Sequence, residues 1–206
     1  DNCTNMTLKN LTVKTDLKGQ AEGLLIMGNR IFLDNVHIIG DGDALQVNGP
    51  VYLKNCQIDG GGDTILGRGP AFFYHCRLSN TGGPFVWVRN TEKNHGDIFI
   101  ECTFKNALNK PESSLARSPK NGIKCYPYAE AVLINCKLDN IISEGWQSIG
   151  GDTTNNHFWE YNSSDMQGNS VDVSKRNSAS RQLQMPQDEQ LIKNYSNPEF
   201  ILGWKP

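Results

Sequence analysis

LKNCQI, at residues 53–58, is one copy of a six-residue pattern that recurs along the chain. The pattern is a large apolar residue, two other residues, then Cys, Val or Leu, one more residue, and a final apolar residue. Short similar segments separated by loops of variable length are typical of solenoid proteins. The copies begin at Leu8, Leu33, Leu53, Phe73, Phe99 and Leu133.

Each copy is predicted to form two short strands around a sharp corner. Gly and Asn interrupt every interval between copies, and no apolar stripe with a period of 3.6 residues persists, so helices are not favoured. Asn often precedes the fourth position of the pattern, and Asn tolerates the left-handed backbone that a corner needs. The first, fourth and sixth side chains would face inward. The sequence therefore predicts an all-β fold, a right-handed parallel β-helix or solenoid.

Four of the six cysteines occupy the fourth position of the pattern, which Val36 and Leu11 fill in other copies. A position shared by Cys, Val and Leu indicates an apolar stack, because a free Cys behaves as a small hydrophobic residue. The close Cys pairs of a structural zinc site are missing from the sequence. Cys3 and Cys125 lie outside the pattern and could be free or paired.

The bulk composition limits the domain organisation and the partners. With 206 residues, the chain is predicted to be a single domain over residues 1–206. Its coils would span about residues 1–150, and a C-terminal flank, about residues 151–206, would pack along them. The net charge of −2 gives no indication of binding to nucleic acid or to an anionic membrane. No apolar run approaches the roughly 18 residues of a membrane span.

Two acidic turns stand at equivalent places in neighbouring copies. Asp43 follows Leu33 by ten residues, and Asp63 follows Leu53 by ten. Because stacked strands lie about 4.8 Å apart, the two carboxylates are expected to lie nearly one above the other; the next copy has Gly83 there. Two close carboxylates share a proton and can act as an acid and a nucleophile or base. The alternative is that two turn aspartates coincide by chance.

Five segments, in order and with similar spacing, resemble motifs of the pectin methylesterases, or pectinesterases. GDGDAL at 40–45 is similar to their GYQDTL turn, and GGGDTILG at 60–67 to their GTVDFIFG. QAEGLLI at 20–26 resembles QAVALRV. EGWQSIG at 144–150 and WEYNSSDMQGNSVDVSKR at 159–176 resemble segments near the end of that family. These carbohydrate esterases have a right-handed parallel β-helix fold.

The resemblance implies roles for four residues. Asp63 would be the nucleophile that attacks the methyl ester of a galacturonate. Asp43 would be the general acid for the departing methanol and then the base that activates water. Gln20 would donate a hydrogen bond to the oxyanion. Arg117 would hold Asp63 ionised, since a neighbouring guanidinium lowers the pKa of one acid and leaves the proton on the other.

The implied enzyme is a secreted or periplasmic hydrolase that modifies or degrades pectin in cell walls. It would act on a pectic polysaccharide or oligosaccharide, with neither a metal nor an organic cofactor. The sequence departs from the family at Gly42, where a second oxyanion donor is expected, and at residues 118–119, where the family has a Trp that stacks on sugar. Candidate residues for binding the substrate in its place are Arg68, Trp87 and Tyr126.

Family members carry several strands ahead of the segment that resembles NMTLKNLTV at residues 5–13. A β-helix beginning at residue 1 would expose the end of its apolar stack and a row of unpaired strand groups. We therefore expect the chain to lack its N-terminal coils, with a separate N-terminal segment or chain, or self-association, completing the β-helix. Coverage of this edge by the C-terminal flank is the alternative.

Two other functions remain open from the sequence. A β-helix glycoside hydrolase or lyase acting on polygalacturonate would also use acidic residues, although inverting hydrolases hold their carboxylates about 6.5–9.5 Å apart. A non-catalytic carbohydrate-binding solenoid would account for the two departures from the family.

Overall fold

The computed structural model describes residues 3–117, 120, 122–123, 125–147 and 151–206. In these residues the chain forms short strands and two C-terminal helices. The strands are β1 Thr7–Lys14, β2 Leu24–Ile26, β3 Ile31–Ile39, β4 Leu45–Val47, β5 Val51–Lys54, β6 Gln57–Gly60, β7 Ile65–Gly67, β8 Ala71–Tyr74, β9 Arg77–Asn80, β10 Gly83–Val88, β11 Asp97–Ile100, β12 Thr103–Asn106, β13 Ser113–Ala116, β14 Glu130–Ile134, β15 Lys137–Asp139, β16 His157–Tyr161 and β17 Arg181–Gln182. The helices are α1 Glu189–Tyr195 and α2 Pro198–Leu202.

All ladders between these strands are parallel. The larger sheet has the order β15-β12-β9-β6-β3-β5-β8-β11-β14-β16-β17, with β1 also paired to β3. The long strand β3 joins its two halves, since its first part pairs with β5 and its last part with β6. A smaller sheet has the order β13-β10-β7-β4-β2. The first positions of successive copies pair directly, as Leu33 does with Leu53, so the predicted all-β, parallel stacking is confirmed.

The corner residues adopt the backbone that the sequence predicts. Left-handed φ values between 54° and 56° occur just before the fourth position of every copy, at Asn10, Asn35, Asn55, His75, Glu101 and Asn135. Asparagine side chains at these corners also bond along the stack, as where Asn35 Nδ2 donates to Asn10 Oδ1 at 2.9 Å. The corner is therefore set by the backbone preference of Asn and by bonds between neighbouring copies.

The inward-facing positions form one apolar core. In the copies that begin at Leu33, Leu53, Phe73, Phe99 and Leu133, the first, fourth and sixth side chains are all buried. The four cysteines at the fourth position are buried free thiols, which confirms the apolar stack, and burial raises the pKa of Cys102. Cys3 and Cys125 are exposed and also free. In the described part of the chain, no cluster of His, Cys, Asp or Glu has the arrangement of a metal site.

The repeat continues beyond the boundary expected near residue 150. Strand β16 pairs with β14, with Leu133 opposite Glu160, and Asn162 has the corner φ of 53°. The pattern is hidden in the sequence because Glu160 occupies the first position. This glutamate is fully buried, and Arg176 neutralises it through Nε to Oε2 at 2.9 Å and Nη2 to Oε1 at 3.0 Å.

Both helices pack on the outer face of the larger sheet. Tyr195, Ile201 and Leu202 are buried against outward-facing residues of β8, β11 and β14. Helix α1 has the sequence EQLIKNY and begins directly after Asp188. In the described residues, no helix has the length and apolar character needed to cross a bilayer.

Glu130 anchors α1 to the sheet through a buried cluster. Its Oε1 lies 2.8 Å from His95 Nδ1, and its Oε2 lies 2.6 Å from His157 Nδ1. Tyr195 donates its hydroxyl to Oε2 at 2.6 Å. Burial alone would raise the pKa of Glu130, but the hydrogen bonds from His157, His95 and Tyr195 outweigh burial and lower it to about 2.

Acidification is expected to loosen this anchor. A carboxyl with a lowered folded pKa contributes stability that is present above its unfolded pKa of 4.5 and is lost as the pH falls toward about 2. The contribution is about 3 kcal/mol, from 1.36 kcal/mol per pKa unit. Urea unfolding at pH 6 and pH 3 measures the part of it that is lost between these two pH values, about 2 kcal/mol. The Glu130→Gln variant should show a smaller pH dependence than the wild type, and an equal dependence would reject this role.

Candidate active site

The two acidic turns lie directly before paired strands of the smaller sheet. β4 and β7 pair in register with Leu45 opposite Ile65, and Asp43 and Asp63 precede these residues by two positions each. The backbone bond from Ala44 N to Thr64 O, 2.9 Å long, fixes the same alignment at the turn. The acids therefore occupy equivalent positions on adjacent strands.

The next strand differs by one residue from the sequence expectation. Ile65 pairs with Val86, so Pro84 rather than Gly83 follows Asp63 in the stack. The physical reason is an extra residue in the chain between β8 and β10, which shifts the register by one. Both Gly83 and Pro84 line the same groove as the acids.

This groove has a volume of about 480 Å³ and brings together all four residues expected to be catalytic. They are Gln20, Asp43, Asp63 and Arg117. Gln147, which the sequence analysis did not single out, lies on the same groove. It belongs to the EGWQSIG segment, whose neighbouring Trp146 is buried in the core. The remaining lining is Gly42, Gly61, Gly62, Gly82, Gly83 and Pro84.

The glycine at position 42 is required by its backbone. Gly42 has a φ of 86°, and a Cβ built on it would lie 3.1 Å from the Cα of Gln20. A side chain at this position would be strained both by its φ and by this contact. The glutamine that the family has at this position would therefore not fit the backbone of this chain without strain.

Asp63 is held by Arg117 in a partly buried ion pair. Arg117 Nη2 lies 2.9 Å from Asp63 Oδ2, and Asp63 Oδ1 is buried with no hydrogen-bond partner among the described residues. Asp63 also has a left-handed φ of 44°, the kind of local strain found at functional sites. The expected lowering of its pKa is wrong: burial raises the pKa of Asp63, and the opposing charges of Arg117 and Arg89 do not offset it.

Asp43 keeps its proton to a pH closer to neutral than a free carboxyl does. Burial, together with the negative charges of Asp63 and Glu22, raises its pKa to about 6, against the opposing effects of Arg89 and Arg117. At pH 5, Asp43 is therefore mostly protonated. A carboxylate paired with a guanidinium beside a protonated carboxyl can supply a nucleophile and a general acid.

Two amide side chains reach this groove from different loops. Gln20 has a φ of 47° and precedes Ala21, which exchanges backbone bonds with Asp41 at 2.8 and 3.1 Å. Gln147 is fixed through its backbone N–H, which donates to Ala116 O at 2.9 Å. Side-chain amides are hydrogen-bond donors suited to an oxyanion.

The three candidate substrate-binding residues do not line this groove. Trp87 is partly exposed, and the Arg117 guanidinium lies 3.6 Å from its ring centre. The Tyr126 ring is nearly perpendicular to the Trp87 ring, with ring centres 6.4 Å apart. Arg68 is exposed, and its carbonyl accepts a bond from Asn94 at 2.9 Å. Residues 118–119, which replace the sugar-stacking Trp of the family, lie outside the described residues.

Comparison with known proteins identifies the fold. No family model and no curated protein sequence matches the chain. Among solved structures, the pectin methylesterase from Yersinia enterocolitica superimposes with a TM-score of 0.79 and 20% identity, over 100% of this chain and 76% of that one. The pectin methylesterase from Aspergillus niger gives 0.72 and 22%, over 93% of this chain and 61% of that one.

A further pectin methylesterase, solved in complex with a hexasaccharide, gives a TM-score of 0.78 and 19% identity over 100% of this chain and 72% of its own. This chain therefore has the mostly β, parallel-stranded fold of the pectin methylesterases, as the sequence motifs indicated. It spans about 61% of the Aspergillus niger enzyme.

Proposed function

We propose that this chain is a carbohydrate esterase that hydrolyses methyl esters of galacturonate units in pectin or a pectic oligosaccharide. The observation that carries the proposal is the Asp63–Arg117 ion pair, in one groove with Asp43, whose pKa is raised to about 6. An aspartyl esterase needs one ionised carboxylate as the nucleophile and one protonated carboxyl as the general acid, and Asp63 and Asp43 suit these two roles.

Acylation begins with attack by the Asp63 carboxylate on the ester carbonyl carbon. The carbonyl oxygen becomes an oxyanion, and the Gln20 amide donates to it. As the intermediate collapses, the bond to the methoxy oxygen breaks and Asp43 gives its proton to that oxygen. Methanol leaves, Asp43 becomes a carboxylate, and the substrate is joined to Asp63 as an anhydride.

Deacylation reverses these roles. The Asp43 carboxylate takes a proton from water as the water oxygen attacks the same carbonyl carbon. The bond to the Asp63 oxygen breaks, which restores the Asp63 carboxylate and releases a galacturonic acid group. Arg117 stabilises the Asp63 carboxylate both before attack and on its return, because the ion pair favours its charged form.

Gln147 is proposed to donate to the oxyanion in place of the glutamine that Gly42 replaces. The Gln147→Ala variant should lose about a hundredfold in kcat, the loss expected for one oxyanion donor. Gln167→Ala, at an exposed position outside the groove, is the matched control. A kcat within a factor of two of the wild type would exclude Gln147 from this role.

The substrate class follows from the proposed reaction. A related pectin methylesterase binds a hexasaccharide, and the open groove of this chain would accept a segment of such a polymer. Because pectin lies outside the cytoplasm of the cells that make or digest it, we propose a secreted or periplasmic location. Detection of the protein only in a cytoplasmic fraction of its host would contradict it.

One assay compares this proposal with the alternatives. The chain is incubated with highly methylated pectin and with de-esterified polygalacturonate, and methanol and chain length are measured. Methanol release without shortening is the expected result. Shortening of either polymer would indicate a glycoside hydrolase or lyase, and binding without reaction would indicate a carbohydrate-binding solenoid.

The parallel ladders are proposed to wind into a right-handed β-helix that continues beyond β1 and β2. Residues from β3 to β14 share one apolar core. That core is open at the β1 end, where the first, fourth and sixth side chains of the first copy, Leu8, Leu11 and Val13, are not fully buried. A preceding coil, from a separate segment or chain, would cover this end. A crystal structure with these residues covered by the C-terminal flank would contradict this proposal.

A further inference from the structure

Trp87 contacts both Arg117, which lines the groove, and a second cation, Arg89. The Arg117 guanidinium lies 3.6 Å from the centre of its ring, and the Arg89 guanidinium lies 4.5 Å from it. Both distances are within the range in which an indole attracts a cation. One aromatic side chain therefore contacts two guanidiniums, and one of these belongs to the proposed catalytic ion pair.

The environment fixes this indole in place. Trp87 Nε1 is buried without a hydrogen-bond partner among the described residues. Trp87 lies on β10 in register with Leu66 of β7, so strand pairing holds its backbone. Arg89 is buried, and its N–H donates to Gly67 O at 2.6 Å. A buried guanidinium on a hydrogen-bonded backbone therefore gives the indole a second contact besides Arg117.

Among the described residues, few other contacts restrain the Arg117 guanidinium. In the described part of the chain, its guanidinium contacts Asp63 and Trp87, while its Nε is buried without a partner. An arginine side chain has several rotatable bonds, so one ion pair leaves the plane of the guanidinium poorly defined. Stacking on an indole face defines that plane.

On these contacts we propose that Trp87 is a positioning residue: it orients Arg117 toward Asp63 and does not serve as a platform for sugar. This inference rests on the proposed esterase function and assigns a residue to the same site. It replaces the expectation from sequence that Trp87 binds substrate. The charged groups acting on Asp63 are Arg117 and Arg89, and Asp43 is the acid in the neighbouring turn.

The kinetic test compares Trp87→Leu with Trp87→Phe on methylated pectin. In Trp87→Leu, kcat should fall about tenfold with KM nearly unchanged, because Arg117 loses its stacking partner. The acidic limb of the pH–rate profile should move to higher pH, since a looser Arg117 stabilises the Asp63 carboxylate less. Trp87→Phe keeps an aromatic face and should recover most of kcat. If Trp87→Leu raises KM and leaves kcat and the acidic limb unchanged, Trp87 binds sugar and the inference is overturned. Unchanged kinetics in Trp87→Leu would also overturn it.

A second measurement is independent of catalysis. The Asp63 carboxyl carbon is followed by 13C NMR as a function of pH in aspartate-labelled protein without substrate. Its midpoint should lie at higher pH in Trp87→Leu than in the wild type, and Trp204→Leu, in the outer cluster of the C-terminal helices, should leave it unchanged. An equal midpoint in the wild type and Trp87→Leu would overturn the inference. If the wild-type protein releases no methanol, the proposed function fails, whereas this titration still decides the role of Trp87.

Discussion

Replacement of Asp63 by asparagine is expected to lower the rate of methanol release by at least about a thousandfold. An amide cannot attack the ester carbonyl, and loss of a catalytic nucleophile leaves only the contribution of binding and oxyanion donors. Asparagine is the preferred substitution because Asp63 has a φ of 44°, a backbone that Asn tolerates and that strains alanine. The fold should therefore persist.

Asp34→Asn is the matched control for this experiment. Asp34 lies on β3, where it pairs with Lys9 at 3.8 Å and is remote from the groove. The control should keep full activity, and both variants should retain wild-type circular dichroism. If Asp63→Asn releases methanol at more than a tenth of the wild-type rate, Asp63 is not the nucleophile.

The second large effect is expected at Asp43. Asp43→Asn removes the proton donor for methanol and the base for water, so turnover should fall by about a hundred- to ten-thousandfold. An aryl ester of galacturonate offers a sharper test, because an aryl oxide leaves without protonation. With it, Asp43→Asn should release a burst of about one equivalent of phenol and then stall, since deacylation still needs the base.

The same substitution should stabilise the folded chain at pH 7. The pKa of Asp43 is raised from 3.8 to about 6, so its favourable contribution to folding is present below pH 3.8 and is lost as the pH rises to about 6. Above that pH the folded protein holds a partly buried carboxylate, which the neutral amide relieves. Thermal unfolding should give a higher Tm for Asp43→Asn than for the wild type at pH 7 and a similar Tm at pH 3.5. A lower Tm at pH 7 would contradict this account.

Much of the fold could be predicted from the sequence because each repeat contains both the residue that forms the corner and the apolar residues that form the core. Asn35 and Asn55 mark corners, and the apolar positions around them mark the core. The copy at Glu160 was not recognised because a charged residue stands at a position that is otherwise apolar. Its burial is possible because Arg176, sixteen residues later, neutralises it. Sequence spacing does not reveal a bidentate partner of that kind.

The groove was predictable where residues repeat and not where loops converge. Asp43 and Asp63 share a position in the repeat, so their pairing followed from counting residues. Gln147 reaches the site from a segment with no repeat, and only the folded chain brings it near the two acids. The predicted direction of the pKa shift at Asp63 was wrong because the sequence shows which charges are present but not how deeply the carboxyl is buried.

The backbone beside the two acids limits how the groove can change under mutation. Gly42 and Gly62 have φ values of 86° and 129°, and a residue with a Cβ in such a conformation costs roughly 1–3 kcal/mol. Most substitutions at these two sites would therefore be removed by selection against unstable protein, whatever their effect on substrate selectivity. We therefore expect positions 42 and 62 to remain glycine, so that no side chain covers the two acids, and changes in substrate specificity to arise in the surrounding loops.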